Sequence, residues 1–140
     1  MTAIVLDASV ALAWHFPDEA SERISRIASL SDTHTVVVPG HWFAEIANGM
    51  LIGERRRRTT PDERINFTAR LELLDLVIDT IEPADLFDRI MPLARAHRLT
   101  IYDTLYLELA ERRGLPLASL DTDLNDAAMR VGIPLVEYVP

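Results

Sequence analysis

The sequence predicts an α/β fold: one central, mainly parallel sheet of four to five short strands, covered by helices. Three observations predict it. Short aliphatic and β-branched runs recur at residues 3–6, 35–38, 76–78, 117–120 and 133–136. Segments of helical periodicity separate them, the alternation from which crossover units build parallel sheets. The runs are almost continuously apolar, as strands covered on both faces are. With 140 residues, 49% of them hydrophobic, the chain has the length and apolar content of a single domain over residues 1–140.

Residues 3–6, Ala-Ile-Val-Leu, read as a short buried strand. Asp7 stops it, and residues 7–15 read as a helix with Asp7 or Ala8 at its cap. Pro17-Asp18 restarts the chain, and Ile24, Ile27, Ala28 and Leu30 give the next helix its apolar positions. The run at 35–38 is stopped by Pro39-Gly40. Phe43, Ile46, Ala47, Met50 and Leu51 then follow the pattern of a helix face turned to the core. That puts Glu45 and Asn48 together on the opposite side. Thr60-Pro61-Asp62-Glu63 reads as a capping box, with Thr60 as cap, Pro61 first in the helix and Glu63 reaching back. Residues 76–78 form the third strand. A helix carrying Leu86, Phe87, Ile90 and Met91 follows, and Pro92 is expected to kink or end it. Residues 102–113 read as a helix with Leu105, Tyr106, Leu109 and Ala110 as its apolar stripe, closed by Gly114. A strand at 117–120, a helix at 121–131 ended by Gly132, and a last strand at 133–136 complete the order.

Composition removes several classes of function. The chain has no cysteine, which excludes disulfides and Cys-based zinc sites and suits a cytoplasmic location. No basic region precedes the first apolar run and Asp7 interrupts it, so no signal peptide is expected. No stretch approaches the roughly 18 to 20 apolar residues of a membrane helix. The net charge is −8, from 14 basic and 22 acidic residues, which taken alone argues against nucleic-acid binding. That inference weakens where part of the acid serves a metal site, because a bound cation inverts the local potential. Basic charge is also concentrated, in the block Arg55, Arg56, Arg57 and Arg58. The block reads either as a solvated helix end or as a phosphate-contacting surface. His15, His34, His41 and His97 show no metal-ligand spacing and are expected at the surface or at helix ends. Trp14, Phe16, Trp42 and Phe43 are expected in the core, with Trp14 and Trp42 alternatively lining an interface.

Four acids stand where strand and helix meet or on a helix face away from the main stripe: Asp7, Glu45, Asp103 and Asp121. For Asp7, Asp103 and Asp121 taken singly, helix capping explains an acid at such a junction. Glu45 alone would be a solvated helix residue. Their joint pattern is what suggests chemistry: a carboxylate just beyond a buried strand is where α/β proteins place ligands. Several brought together repel one another unless a divalent cation joins them.

The quoted segments resemble a known family. Ile4-Val5-Leu6-Asp7-Ala8-Ser9, Glu45-Ile46-Ala47-Asn48, Tyr102-Asp103-Thr104-Leu105-Tyr106-Leu107 and Leu117-Ala118-Ser119-Leu120-Asp121 are similar to the four acidic motifs of PIN-domain ribonucleases. The acids follow in the family's order, 38, 58 and 18 positions apart. Size and motif variants are most like VapC toxins of toxin–antitoxin pairs. Ser119 stands where the family more often has Thr, and it keeps the hydroxyl. Asp123 adds an acid two positions after Asp121 and reads as a further ligand or, preferably, as a solvated first-turn residue.

The resemblance implies a single PIN-like domain and an endoribonuclease that hydrolyses RNA phosphodiesters with Mg²⁺ or Mn²⁺. It makes Asp7, Glu45, Asp103 and Asp121 the catalytic and metal-binding residues. Ser9, Asn48 and Ser119 would orient them. It implies RNA, plausibly tRNA or rRNA, as substrate, homodimerisation, and inhibition by a VapB-type antitoxin through which the complex would bind DNA. No membrane is involved. The alternative is a catalytically inactive PIN fold that only binds a partner. Other Asp-after-strand folds fit less well. An aspartate-nucleophile phosphatase needs Asp-x-Asp where this chain has Asp7-Ala8-Ser9, and a receiver domain needs a lysine that this chain lacks. No Ser, His and Asp set in a recognisable context suggests a serine hydrolase.

Overall fold

The structure is a computed structural model that describes residues 2–136. Met1 and residues 137–140, which the single-domain expectation includes, lie outside the described residues. The strands are β1 (Ala3–Leu6), β2 (Thr35–Pro39), β3 (Leu76–Asp79) and β4 (Leu117–Ala118). They form one parallel sheet in the order β3-β2-β1-β4. In register, Val5 faces Val37 on one side and Leu117 on the other. Helices are α1 (Ala8–His15), α2 (Glu22–Ser31), α3 (Trp42–Arg55), α4 (Pro61–Leu71), α5 (Pro83–Asp85), α6 (Met91–His97), α7 (Ile101–Arg113) and α8 (Thr122–Arg130). A 3₁₀ turn at Pro17–Glu19 and a π-helical turn at Leu86–Ile90 complete the described elements. The predicted α/β class with a parallel, helix-covered sheet is therefore correct.

The strand order places the site. From β1 the chain builds outward through β2 and β3, then returns to add β4 on the far side of β1. The order reverses between β1 and β4, and their carboxyl ends open into the crevice that such a switch point creates. β1 and β2 are buried because both faces are covered: Val5, Leu6, Val36 and Val38 have no exposed surface.

Several details differ from the sequence reading, each for a physical reason. The predicted strand at 117–120 shrinks to two residues because the next backbone groups bond to side chains. The Ser119 carbonyl accepts from Arg23 and Asn125, and the Leu120 N–H donates to Ser9 Oγ. The predicted strand at 133–136 is a single bridge, Leu117 to Leu135. Pro134 lacks the N–H a ladder needs there, although its carbonyl accepts from Leu117. The face of α3 is rotated: Trp42, Ile46, Met50 and Gly53 point inward, while Phe43, Ala47 and Leu51 are exposed. Burying Trp42, the largest side chain in the core, accounts for that rotation. It also removes Trp42 from any interface. Pro92 does not end its helix. The π turn before it routes the Met91 N–H to the Leu86 carbonyl, and the helix continues to Arg98, whose left-handed backbone stops it.

The Thr60 cap forms, accepting from the Glu63 N–H at 3.2 Å, but Glu63 does not reach back. Its carboxylate takes the Thr59 hydroxyl instead, and Thr59 also meets His15 at 2.7 Å.

Candidate active site

Asp7 follows β1 and stands at the N-cap of α1, yet its side chain caps nothing. It is buried, and its Oδ2 accepts from two hydroxyls: Ser119 Oγ at 2.7 Å and Ser9 Oγ at 2.8 Å. Both serines use the same oxygen of Asp7. They also stitch β1 to the β4–α8 turn, since Ser119 Oγ accepts from the Asp121 N–H and Ser9 Oγ from the Leu120 N–H. Asp121 is a true cap, its Oδ1 accepting from the Leu124 N–H at 2.8 Å. Asp103 is not preceded by a strand. It lies in the first turn of α7, which Thr100 caps by accepting the Asp103 N–H. Capping thus explains one of the three aspartates, not all of them.

Glu45 projects from the first turn of α3, half-buried beside α7. Its Oε1 accepts from the Tyr106 hydroxyl at 2.6 Å and lies 3.0 Å from His41 Nε2. Asp7, Ser9, Glu45, Asn48, Asp103 and Asp121 line one open groove, to which Glu19 of the 3₁₀ turn also contributes. Asn48 makes no hydrogen bond to any of the four acids among the described residues. Asp123 is exposed in the first turn of α8 and does not line the groove.

The carboxylates feel one another. Burial, and then the negative charges of Asp121, Asp7 and Glu45, push the Asp103 carboxyl up to about 6. Burial also raises Asp7, against the hydrogen bonds from Ser119 and Ser9 that hold it down. Glu45 goes the other way: burial pushes it up, but the bonds from His41 and Tyr106 outweigh that and leave it below the ordinary range.

An all-oxygen donor set suits a hard dication, which would relieve the repulsion that now resists ionisation of Asp103. Among the described residues no three acids or histidines are close enough to make a ready-formed cage.

Sequence reasoning missed Tyr106, His41 and Glu19. Tyr106 sits in the apolar stripe and is fully buried, so nothing in its spacing marks the hydroxyl. His41 is at the N-cap of α3, the helix-end position expected, on the same side as Glu45, though no role in the site was assigned to it. Their i, i+4 spacing was the available signal.

The arginine block is divided. Arg55, Arg56 and Arg57 are exposed at the end of α3. Arg58 is engaged: it donates to both oxygens of Asp18 at 2.9 Å, and its guanidinium lies 4.3 Å over the Phe16 ring.

The PIN domain profile matches residues 4–129. The chain belongs to the PIN domain family. It is VapC-like: it is 30% identical over 124 residues to Ribonuclease VapC3 of Pyrobaculum aerophilum, covering 88% of this chain and 92% of that protein. Two solved structures share the PIN fold. PAE2754 from Pyrobaculum aerophilum aligns with a TM-score of 0.64 at 23% identity, over 97% of this chain and 85% of that one. FitAcB from Neisseria gonorrhoeae aligns with a TM-score of 0.61 at 21% identity, over 94% and 95%. No described helix of this PIN domain is long and apolar enough to cross a membrane.

Proposed function

We propose that this chain is a metal-dependent endoribonuclease toxin that hydrolyses RNA phosphodiester bonds in the cytoplasm and is restrained by a VapB-type antitoxin. The observation that carries the reading is the groove at the β1–β4 switch point, which Asp7, Glu45, Asp103 and Asp121 all line. Kinship with a ribonuclease supports it.

Asp7, Glu45, Asp103 and Asp121 would hold Mg²⁺ or Mn²⁺. The bound ion supplies Lewis acidity to the scissile phosphate, a more acidic water, and charge for the leaving oxygen. The chain's own residues prepare the site. Ser9 and Ser119 fix Asp7 Oδ2, which leaves Oδ1 free of side-chain hydroxyl donors. Asp121 divides its roles similarly, with Oδ1 spent on the cap of α8. Exposed Arg55, Arg56 and Arg57 offer phosphate contacts in an otherwise acidic molecule.

Partners follow the same reading. An apolar groove between α3 and α4, lined by Phe43, Ala47, Met50 and Leu51, supports association with an antitoxin or a second copy. Contact with DNA would come through the antitoxin.

The test is incubation of the purified, antitoxin-free chain with total cellular RNA, with chelator and then with Mg²⁺ or Mn²⁺. Discrete fragments that require the ion are expected, and their ends identify tRNA or rRNA as target. No cleavage across a broad RNA set by folded protein would reject the enzyme and leave a partner-binding PIN fold.

A further inference from the structure

Tyr106 is fully buried in α7, where a phenylalanine would fill almost the same space. A buried hydroxyl costs free energy unless it is bonded, so this one calls for a reason. It has two partners. The Ala8 N–H approaches it at 3.3 Å, and Glu45 Oε1 lies 2.6 Å away. An amide N–H can only donate, so the phenol oxygen accepts from Ala8, and its single proton must point at Glu45. Burial, then the charges of Asp7 and Glu45, raise the phenol far above its ordinary value, which keeps that proton in place. One hydroxyl thereby joins the start of α1, next to Asp7, to Glu45 on α3, from a helix that carries Asp103 one turn earlier.

We infer that Tyr106 is a positioning residue for Glu45: its hydroxyl ties down Oε1 and turns Oε2 toward the groove, just as the two serines tie down Oδ2 of Asp7. His41 reaches the same Oε1, so both contacts leave Oε2 to a ligand. The inference rests on the metal-dependent reading of the groove, with Glu45 as one of the ion's ligands.

Mn²⁺ binding to the full chain, followed by titration calorimetry, tests it in four forms: unsubstituted, Tyr106→Phe, Glu45→Gln, and the double variant. Loss of such an orienting bond weakens metal binding roughly tenfold or more. Tyr106→Phe is expected to show that loss alone and almost none in the Glu45→Gln background, because the hydroxyl acts through the Glu45 carboxylate. Unchanged affinity in Tyr106→Phe, or an equal loss in both backgrounds, would overturn the inference while leaving the metal reading intact. No Mn²⁺ uptake by the unsubstituted chain would overturn both. Should Tyr106→Phe fail to fold, the unsubstituted chain labelled with 3-fluorotyrosine serves instead. Its Tyr106 resonance should move as Mg²⁺ saturates the site, and a resonance that stays fixed at saturation would overturn the inference.

Discussion

Asp7 and Glu45 are prepared alike, each with one oxygen held by hydroxyl donors and both residues lining the groove. Both serine oxygens serve the Asp7 carboxylate and a backbone N–H, but Ser119 is fully buried and so the more exacting of the two. Ser119→Ala should slow cleavage by about tenfold or more and destabilise the chain by about 1–3 kcal/mol. Single-turnover rates and denaturant midpoints check the two parts. Asp103 gives a prediction in pH. Its folded value, about 6, lies above the ordinary 3.8, so between them the folded chain keeps a proton that the unfolded chain has lost. Stability from this group is therefore full below about 4 and is lost as pH rises through about 6. Asp103→Asn should raise the melting temperature of metal-free protein near pH 7, with the gain vanishing near pH 4. A gain of equal size at both pH values would contradict it. The four acids were legible because each stands in a motif that the sequence displays linearly. Tyr106 was not, because its pattern reports only that the ring is buried, and its hydroxyl finds Glu45 across 61 positions of chain.

The elements show what spacing can and cannot settle. Strand and helix order was legible for all but the last predicted strand, since apolar runs and caps are local. The face of α3 was not, because periodicity left two adjacent stripes nearly equal and only packing chose between them. Glycines enabled that choice. A Cβ on Gly49 would meet Leu12 at 2.6 Å, and one on Gly53 would meet Phe16 at 2.7 Å, so α1 and its following turn lie against bare backbone. Gly53→Ala must displace the Phe16 ring that also carries Arg58, and should cost about 1–3 kcal/mol by urea unfolding. The end of α7 behaves differently. Gly114 has φ +63° and open space around it, so Gly114→Ala should cost only the backbone strain, roughly 1–2 kcal/mol. A polar knot that sequence gave no sign of ties the other edge of the sheet. Arg112 and Arg113 both hold Asp79 at the end of β3, while Arg112 and Arg89 share Glu108. Only Glu108 and Arg112 stand at helical spacing; Asp79 and Arg89 join them from too far along the chain to be paired by inspection.

At the scale of the molecule, the fold class followed from alternation, and the switch point between β1 and β4 explains why acids so far apart in sequence share one groove. Net charge was the least instructive feature, because −8 averages an acidic groove with an exposed arginine cluster. If Arg55, Arg56 and Arg57 contact RNA phosphates, replacing two of them should lower the slope of binding against salt by about 1.4, near 0.7 per contact on single strands. Arg58→Ala should instead show mainly as lost stability, since its partners are Asp18 and Phe16. The central claim is that the acids of the groove act together on an RNA phosphodiester. The most direct measurement is the single-turnover cleavage rate of Asp7→Asn at saturating Mn²⁺, on an RNA site mapped with the unsubstituted chain, beside a melting curve of each protein. A rate lowered by about a hundredfold or more, in a variant that melts no earlier, is the predicted result. Full activity in the folded variant would remove Asp7 from the site and contradict the account.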